Sequence, residues 1–124
     1  MGLSILVVDD QAATRELYRH HLQQAGHQVE LAEEGIHAEY QFKSAKYDAV
    51  ICDIFMPRQE GLLTIKHMKA QSPDCFFIAV SGGTSIFDGP DFLEQAKLMG
   101  ADEAMEKPVD IKQLLELLAS REAT

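Results

Sequence analysis

Short, mostly apolar runs that each end in polar residues are the feature of this chain that most constrains its fold. Four such runs end at Asp9-Asp10, Asp53, Ser81 and Lys107-Pro108. Helical patterns separate them, and short apolar strands alternating with helices are typical of a parallel sheet covered on both faces. The pattern predicts an α/β fold, a doubly wound five-stranded parallel sheet with five helices. In such sheets, functional residues gather beyond the carboxyl ends of the strands.

The same pattern predicts the position of each strand and helix. Strands are expected at about 4–9, 28–32, 49–53, 75–80 and 103–106, and helices at about 12–25, 35–44, from 62 onward, at 90–99 and after 110. Gly26 and Gly100 are expected to end the first and fourth helices, and Asp110 to cap the fifth. The inner face of the first helix is predicted to consist of Ala13, Leu17, His21 and Leu22.

Composition limits the classes of partner. The 124 residues suit a single domain over 1–124, and a net charge of −9 disfavours direct binding to nucleic acids or anionic membranes. No apolar stretch approaches the roughly 20 residues that span a bilayer, and no leader pattern precedes the first strand. Cys52 and Cys75 lack metal-binding spacing and are expected to be buried, reduced thiols. We therefore expect a cytoplasmic protein.

Acidic residues at the ends of neighbouring strands indicate a metal-assisted phosphoryl site. Asp9, Asp10 and Asp53 would repel one another without a cation. Mg²⁺, or Mn²⁺, prefers such oxygen ligands and would relieve the repulsion. A carboxylate such as Asp53 can attack phosphorus to give an aspartyl phosphate. Lys107 and the hydroxyl of Ser81 could then neutralise the remaining phosphoryl oxygens.

Two sequence motifs resemble those of a known family. Residues 53–61 read Asp-Ile-Phe-Met-Pro-Arg-Gln-Glu-Gly and resemble the phosphoacceptor loop of response-regulator receiver domains of two-component signalling. Gly100-Ala101-Asp102 followed by Lys107-Pro108 resembles the approach to the lysine of that family. The resemblance covers essentially all 124 residues. It implies the flavodoxin-like receiver fold and, as a first hypothesis, a stand-alone switch similar to chemotaxis regulators.

The resemblance also implies a role for each site residue. Asp53 would accept a phosphoryl group from a histidine kinase or a His-containing phosphotransfer protein. The metal would be held by Asp9, Asp10, Asp53 and the backbone carbonyl of Phe55. Ser81 would be the switch hydroxyl and Lys107 would pair with the phosphoryl group. Structural roles would fall to Pro57, Gly61 and Pro108.

The implied output of this phosphorelay component is protein binding. Phosphorylation would alter a face formed by the fourth helix, the fifth strand and the fifth helix, which a downstream protein recognises. The chain would be a monomer or a weak homodimer. It would not be an enzyme in the usual sense, because its chemistry would be limited to self-phosphotransfer and slow self-dephosphorylation.

The residue three positions before Lys107 departs from the family pattern. Receiver domains usually carry Tyr or Phe there, and the ring turns inward as the switch hydroxyl moves. Here the position is Ala104. The usual coupling between Ser81 and an aromatic ring therefore cannot operate, and another element must transmit the signal.

A second departure lengthens the segment between Ser81 and Lys107. The surplus is expected in residues 82–90, whose glycines favour mobility. Our hypothesis is that this loop, with Phe87 and its neighbour Ile86, replaces the missing ring. Gly82 and Gly83 begin the loop, and Gly83 together with Phe55 would flank the path of a hydrolytic water.

Two other classes of protein remain as alternatives. A phosphohydrolase of haloacid-dehalogenase type also joins an Asp nucleophile, a Lys and Mg²⁺, but it requires a second Asp where Phe55 stands. A pseudo-receiver that acts as a constitutive interaction module is compatible with Ala104, although the acidic residues and Lys107 argue against it. Incubation with Mg²⁺ and acetyl phosphate separates the three.

Overall fold

The computed structural model describes residues 2–54, 61–81 and 89–122. Five strands alternate with five helices in the order β1 (Ser4–Val8), α1 (Ala12–Gln24), β2 (Gln28–Ala32), α2 (Gly35–Ser44), β3 (Ala49–Asp53), α3 (Gly61–Gln71), β4 (Phe76–Ser81), α4 (Gly89–Leu98), β5 (Glu103–Glu106) and α5 (Ile111–Glu122). All pairings are parallel and the strand order is β2-β1-β3-β4-β5. The predicted fold class is confirmed.

The core consists of two apolar layers, one on each face of the sheet. Alternate strand residues point to opposite faces, so Leu6 and Val8 pack with α2, α3 and α4, whereas Ile5 and Val7 pack with α1 and α5. The central strand β3 is buried along its whole length. The edge strand β2 is only partly buried, as its alternating sequence predicts.

The predicted ends of the helices are confirmed where glycine or aspartate sets them. Gly26 and Gly100 have φ values of +95° and +112°, a backbone conformation that side chains with a Cβ rarely adopt. Asp110 accepts a hydrogen bond at Oδ1 from the backbone N–H of Gln113, at 3.2 Å, and caps α5. The other bounds lie within about one residue of the expected ones, and β4 starts at Phe76 instead of residue 75.

The predicted inner face of α1 is wrong in part. Leu22 is buried, but Ala13 is exposed and Leu17 is 52% exposed. Tyr18, one turn before Leu22, packs against the sheet and is only 3% exposed. The reason is that the large apolar ring of Tyr18 outweighs its hydroxyl, which turns the buried face by one residue.

The expectation of two buried, reduced thiols is confirmed. Cys52 and Cys75 are free and buried. Burial, together with the charges of Asp53 and Asp9, raises the pKa of Cys52, and burial raises the pKa of Cys75 to about 12. Both thiols therefore stay protonated and unreactive at neutral pH.

Candidate functional site

The carboxyl ends of four strands bring the predicted polar residues to one edge of the sheet. Asp9 and Asp10 follow β1, Asp53 is the last residue of β3, and Ser81 is the last residue of β4. The register pairs Val8 with Cys52 and Asp53 with Val80, so these ends are level. Beyond β5, the backbone N–H of Lys107 donates to the carbonyl of Ser81 at 2.8 Å. Residues almost a hundred positions apart in sequence thus meet in one place.

The ammonium group of Lys107 lies between two buried carboxylates. Its Nζ is 2.9 Å from Asp9 Oδ2 and 3.1 Å from Asp53 Oδ2. The side chains of the two aspartates are only 2% and 5% exposed. Burial lowers the pKa of Lys107, but the hydrogen bonds and charges of Asp53 and Asp9 outweigh burial and raise that pKa above its usual value. Lys107 is therefore a fixed positive charge at neutral pH.

The three predicted carboxylates lie close enough to share one cation. Asp9, Asp10 and Asp53 each offer an oxygen, and these atoms all lie within 4.8 Å of one another. In an octahedral Mg²⁺ site with bonds of about 2.1 Å, ligand oxygens lie roughly 3–4 Å apart. Small side-chain rotations would bring the three oxygens to the separations of such an octahedral site. Asp10 is exposed, which leaves a side open for water and phosphoryl oxygens.

Asp9 is restrained from three directions. Lys107 donates to its Oδ2, the backbone N–H of Gln11 donates to its Oδ1 at 2.8 Å, and Arg15 Nη1 donates to its carbonyl oxygen at 2.7 Å. Sequence reasoning missed Gln11 and Arg15. The sequence offers only a weak signal for Arg15, namely a basic residue in the first turns of the helix that follows Asp9 and Asp10.

Gly61 allows α3 to begin against the end of β3. A Cβ at this position would lie 2.2 Å from the carbonyl oxygen of Asp53 and 2.4 Å from Cα of Ile54. The Gly61 N–H donates to the carbonyl of Ile54 at 3.1 Å. A side chain here would displace the backbone that carries the Asp53 carboxylate.

The remaining predicted residues divide into two groups. Ser81 is buried, Ala104 is partly buried against the core layer under α2, α3 and α4, and the Lys107–Pro108 peptide bond is cis. The others lie outside the described residues, and their roles remain predictions: Phe55, Pro57, Gly82, Gly83 and Phe87.

Comparisons with known proteins agree with this geometry. A family model described as "Response regulator receiver domain" matches residues 5–119. The response regulator MprA of Mycobacterium tuberculosis is 33% identical over 115 residues, which make up 93% of this chain and 48% of that protein. The chain thus spans about half the length of the curated relatives it matches.

Solved structures show the same fold. The chemotaxis protein CheY4 of Vibrio cholerae aligns with a TM-score of 0.86 and 30% identity, over 97% of this chain and 98% of that one. A CheY-like receiver domain protein from Methanospirillum hungatei aligns with a TM-score of 0.86 and 25% identity, over 99% of this chain and 98% of that one.

Across the described part of the chain, no helix has the length and apolar character that a membrane span requires.

Proposed function

The chain belongs to the response regulator receiver domain family, and from this premise we propose that Asp53 accepts a phosphoryl group, with Mg²⁺ held by Asp9, Asp10 and Asp53. Receiver domains of this family are signalling switches. The observation that carries the proposal is the position of Lys107, whose Nζ lies 3.1 Å from Asp53 Oδ2. A carboxylate beside a fixed ammonium and two further acids is suited to in-line phosphoryl transfer.

The chemistry follows from what these side chains can do. An oxygen of Asp53 attacks phosphorus, and the bond from phosphorus to the donor nitrogen of a phosphohistidine breaks, leaving its electron pair on that nitrogen. Lys107 moves its contact from Asp53 Oδ2 to a phosphoryl oxygen and neutralises part of its charge. The hydroxyl of Ser81, at the end of the adjacent strand, donates to another. Bound Mg²⁺ would neutralise the remaining charge.

The proposed donor is a histidine kinase or a His-containing phosphotransfer protein in the cytoplasm. The proposed output is altered binding of a downstream protein at the face formed by α4, β5 and α5. Self-dephosphorylation, a monomeric or weakly dimeric state and the absence of direct nucleic-acid binding belong to the same proposal.

Phosphorylation by a small donor tests the proposal without knowledge of the kinase. The purified chain is incubated with acetyl phosphate and Mg²⁺, and its intact mass is measured over time. We expect the mass of one phosphoryl group to be added, and none in Asp53→Asn or in excess chelator. The matched control is Asp74→Asn, which replaces an exposed aspartate just before the amino end of β4, and it should react like the wild type.

Each failure has a distinct meaning. No added mass in the wild type would favour the constitutive interaction module, and rapid release of phosphate would favour the hydrolase. Phosphoryl mass that persists in Asp53→Asn would place the acceptor elsewhere.

Metal binding has an independent readout. Mg²⁺ at about 100 times its dissociation constant should stabilise the native chain by about 2.7 kcal/mol through mass action. The melting temperature of the wild type should rise accordingly. In Asp10→Asn the response should be lost, while the melting temperature without metal should rise, because one of three like charges is removed. An equal Mg²⁺ response in both proteins would contradict the proposed ligand set.

A further inference from the structure

We propose that Arg15 is a positioning residue that holds the acid pair in the geometry needed for a cation; this inference rests on the proposed function. Arg15 lies on α1 and is partly buried. Its Nη1 donates a 2.7 Å hydrogen bond to the carbonyl oxygen of Asp9. Hydrogen bonds from charged donors are shorter and stronger than those between neutral groups.

The bond acts on the peptide that joins the two acids. The carbonyl oxygen of Asp9 belongs to the planar peptide unit that also contains the nitrogen of Asp10. Fixing this oxygen fixes the plane, and with it the position of the Asp10 Cα, from which the side chain leaves the backbone. The Asp9 carboxylate is already fixed by Gln11 and Lys107. Arg15 therefore completes the restraint by setting the main chain.

Removal of Arg15 should change Mg²⁺ affinity in opposite directions, depending on whether Arg15 acts as a charge or as a positioning residue. As a positive charge near three carboxylates, Arg15 would repel Mg²⁺, so its removal would tighten metal binding. As a positioning residue, its removal would weaken binding. Loss of a residue that orients metal ligands typically lowers affinity by about 10- to 100-fold. The sign of the change thus distinguishes the two roles.

The surroundings of Arg15 allow a chemical rescue. Its side chain borders a cleft of about 450 Å³ between α1 and α2, above the end of β2. The acidic side chains of Glu16 and Glu33 also line this cleft. In Arg15→Ala the space left by the side chain joins this cleft, so that a free guanidinium ion can reach the carbonyl of Asp9.

The experiment is a Mg²⁺ titration followed by the backbone amide resonance of Gln11, which donates to Asp9 Oδ1. We expect the dissociation constant to rise about 10-fold in Arg15→Ala. Arg15→Lys, which keeps a cationic donor, should recover most of the affinity. Arg19→Ala is the matched control, because it removes the same charge from the same helix. Among the contacts described, Arg19 pairs only with the exposed Glu16. The dissociation constant of Arg19→Ala should stay within about twofold of the wild type.

Rescue separates positioning from a general loss of structure. Guanidinium at about 10 mM should restore Mg²⁺ affinity in Arg15→Ala and leave the wild type unchanged, with equimolar NaCl as the reference. If Arg15→Ala is unfolded, Arg15→Met, which keeps the aliphatic stem, takes its place for the affinity measurement. Equal or tighter binding in the variant that lacks the donor would overturn the role of Arg15. Absence of Mg²⁺ binding in the wild type would instead overturn the proposed function.

Discussion

Replacing Lys107 with methionine tests the electrostatic basis of the site. Lys107→Met keeps the aliphatic stem and removes the ammonium that lies 2.9 Å from Asp9 Oδ2 and 3.1 Å from Asp53 Oδ2. Both carboxylates stay in place with side chains only 2% and 5% exposed. Each then loses the ammonium of Lys107, and removing one member of a buried ion pair is the costly way to break it.

The magnitude follows from the burial of the partners. Removal of one member of a buried pair typically destabilises a protein by about 3–5 kcal/mol. Lys107 is itself 22% exposed, so water partly screens the pair, and the lower end, about 3 kcal/mol, applies. In a chain of this length that loss lowers the melting temperature by roughly 10 °C.

Thermal unfolding in chelator measures the loss of stability, and thermal unfolding in Mg²⁺ measures how much of that loss a bound cation offsets. In chelator, Lys107→Met should melt roughly 10 °C below the wild type. In Mg²⁺ the gap should narrow, because the bound cation supplies part of the missing charge. Lys46→Met, an exposed lysine at the opposite edge of the sheet, is the control for the lost charge. If the two variants melt within about 2 °C of each other in chelator, less than 1 kcal/mol separates them and the reasoning is refuted.

Three further tests use alkaline pH, a substitution of Gly61 and a substitution of the buried His27. Because the pKa of Lys107 is raised on folding, its stabilisation is complete below about pH 10 and lost as the pH rises through the folded pKa. Urea unfolding of wild type and Lys107→Met should therefore give a constant free-energy difference from about pH 7 to 9 that shrinks only in stronger alkali. Gly61→Ala places a Cβ 2.2 Å from the Asp53 carbonyl and should slow phosphorylation by acetyl phosphate at least about 10-fold; an unchanged rate would show that the backbone adapts. His27→Ala removes the acceptor of the buried Leu3 N–H and should cost about 1–3 kcal/mol in urea unfolding without altering the phosphorylation rate.

Local signals explain why most of the fold could be predicted from the sequence. β2, α2, β3 and β5 have the predicted bounds, because short apolar runs and adjacent glycines act over a few residues. The meeting of Asp9, Asp53 and Lys107 also follows, since parallel strands bring their carboxyl ends to one edge.

Contacts that depend on tertiary packing could not be predicted in the same way. Tyr18 is buried because its ring fits between α1 and the sheet, and residue type alone did not show this. Arg15 binds a backbone carbonyl, and such acceptors leave no trace in the sequence. Of the proposed switch loop at 82–90, Gly89 and Pro90 lie in α4 instead. Residues 82–88 and the Phe55 carbonyl lie outside the described residues, so the role of the loop and that of the carbonyl stay predictions.

A crystal structure with Mg²⁺ and beryllofluoride, a mimic of the phosphoryl group, tests the central claim most directly. We predict beryllium bonded to an oxygen of Asp53, Mg²⁺ in contact with the acid pair, and Lys107 Nζ moved from Asp53 to a fluoride. Beryllofluoride bound to another residue, or Lys107 turned away from Asp53 with no cation beside it, would contradict the account.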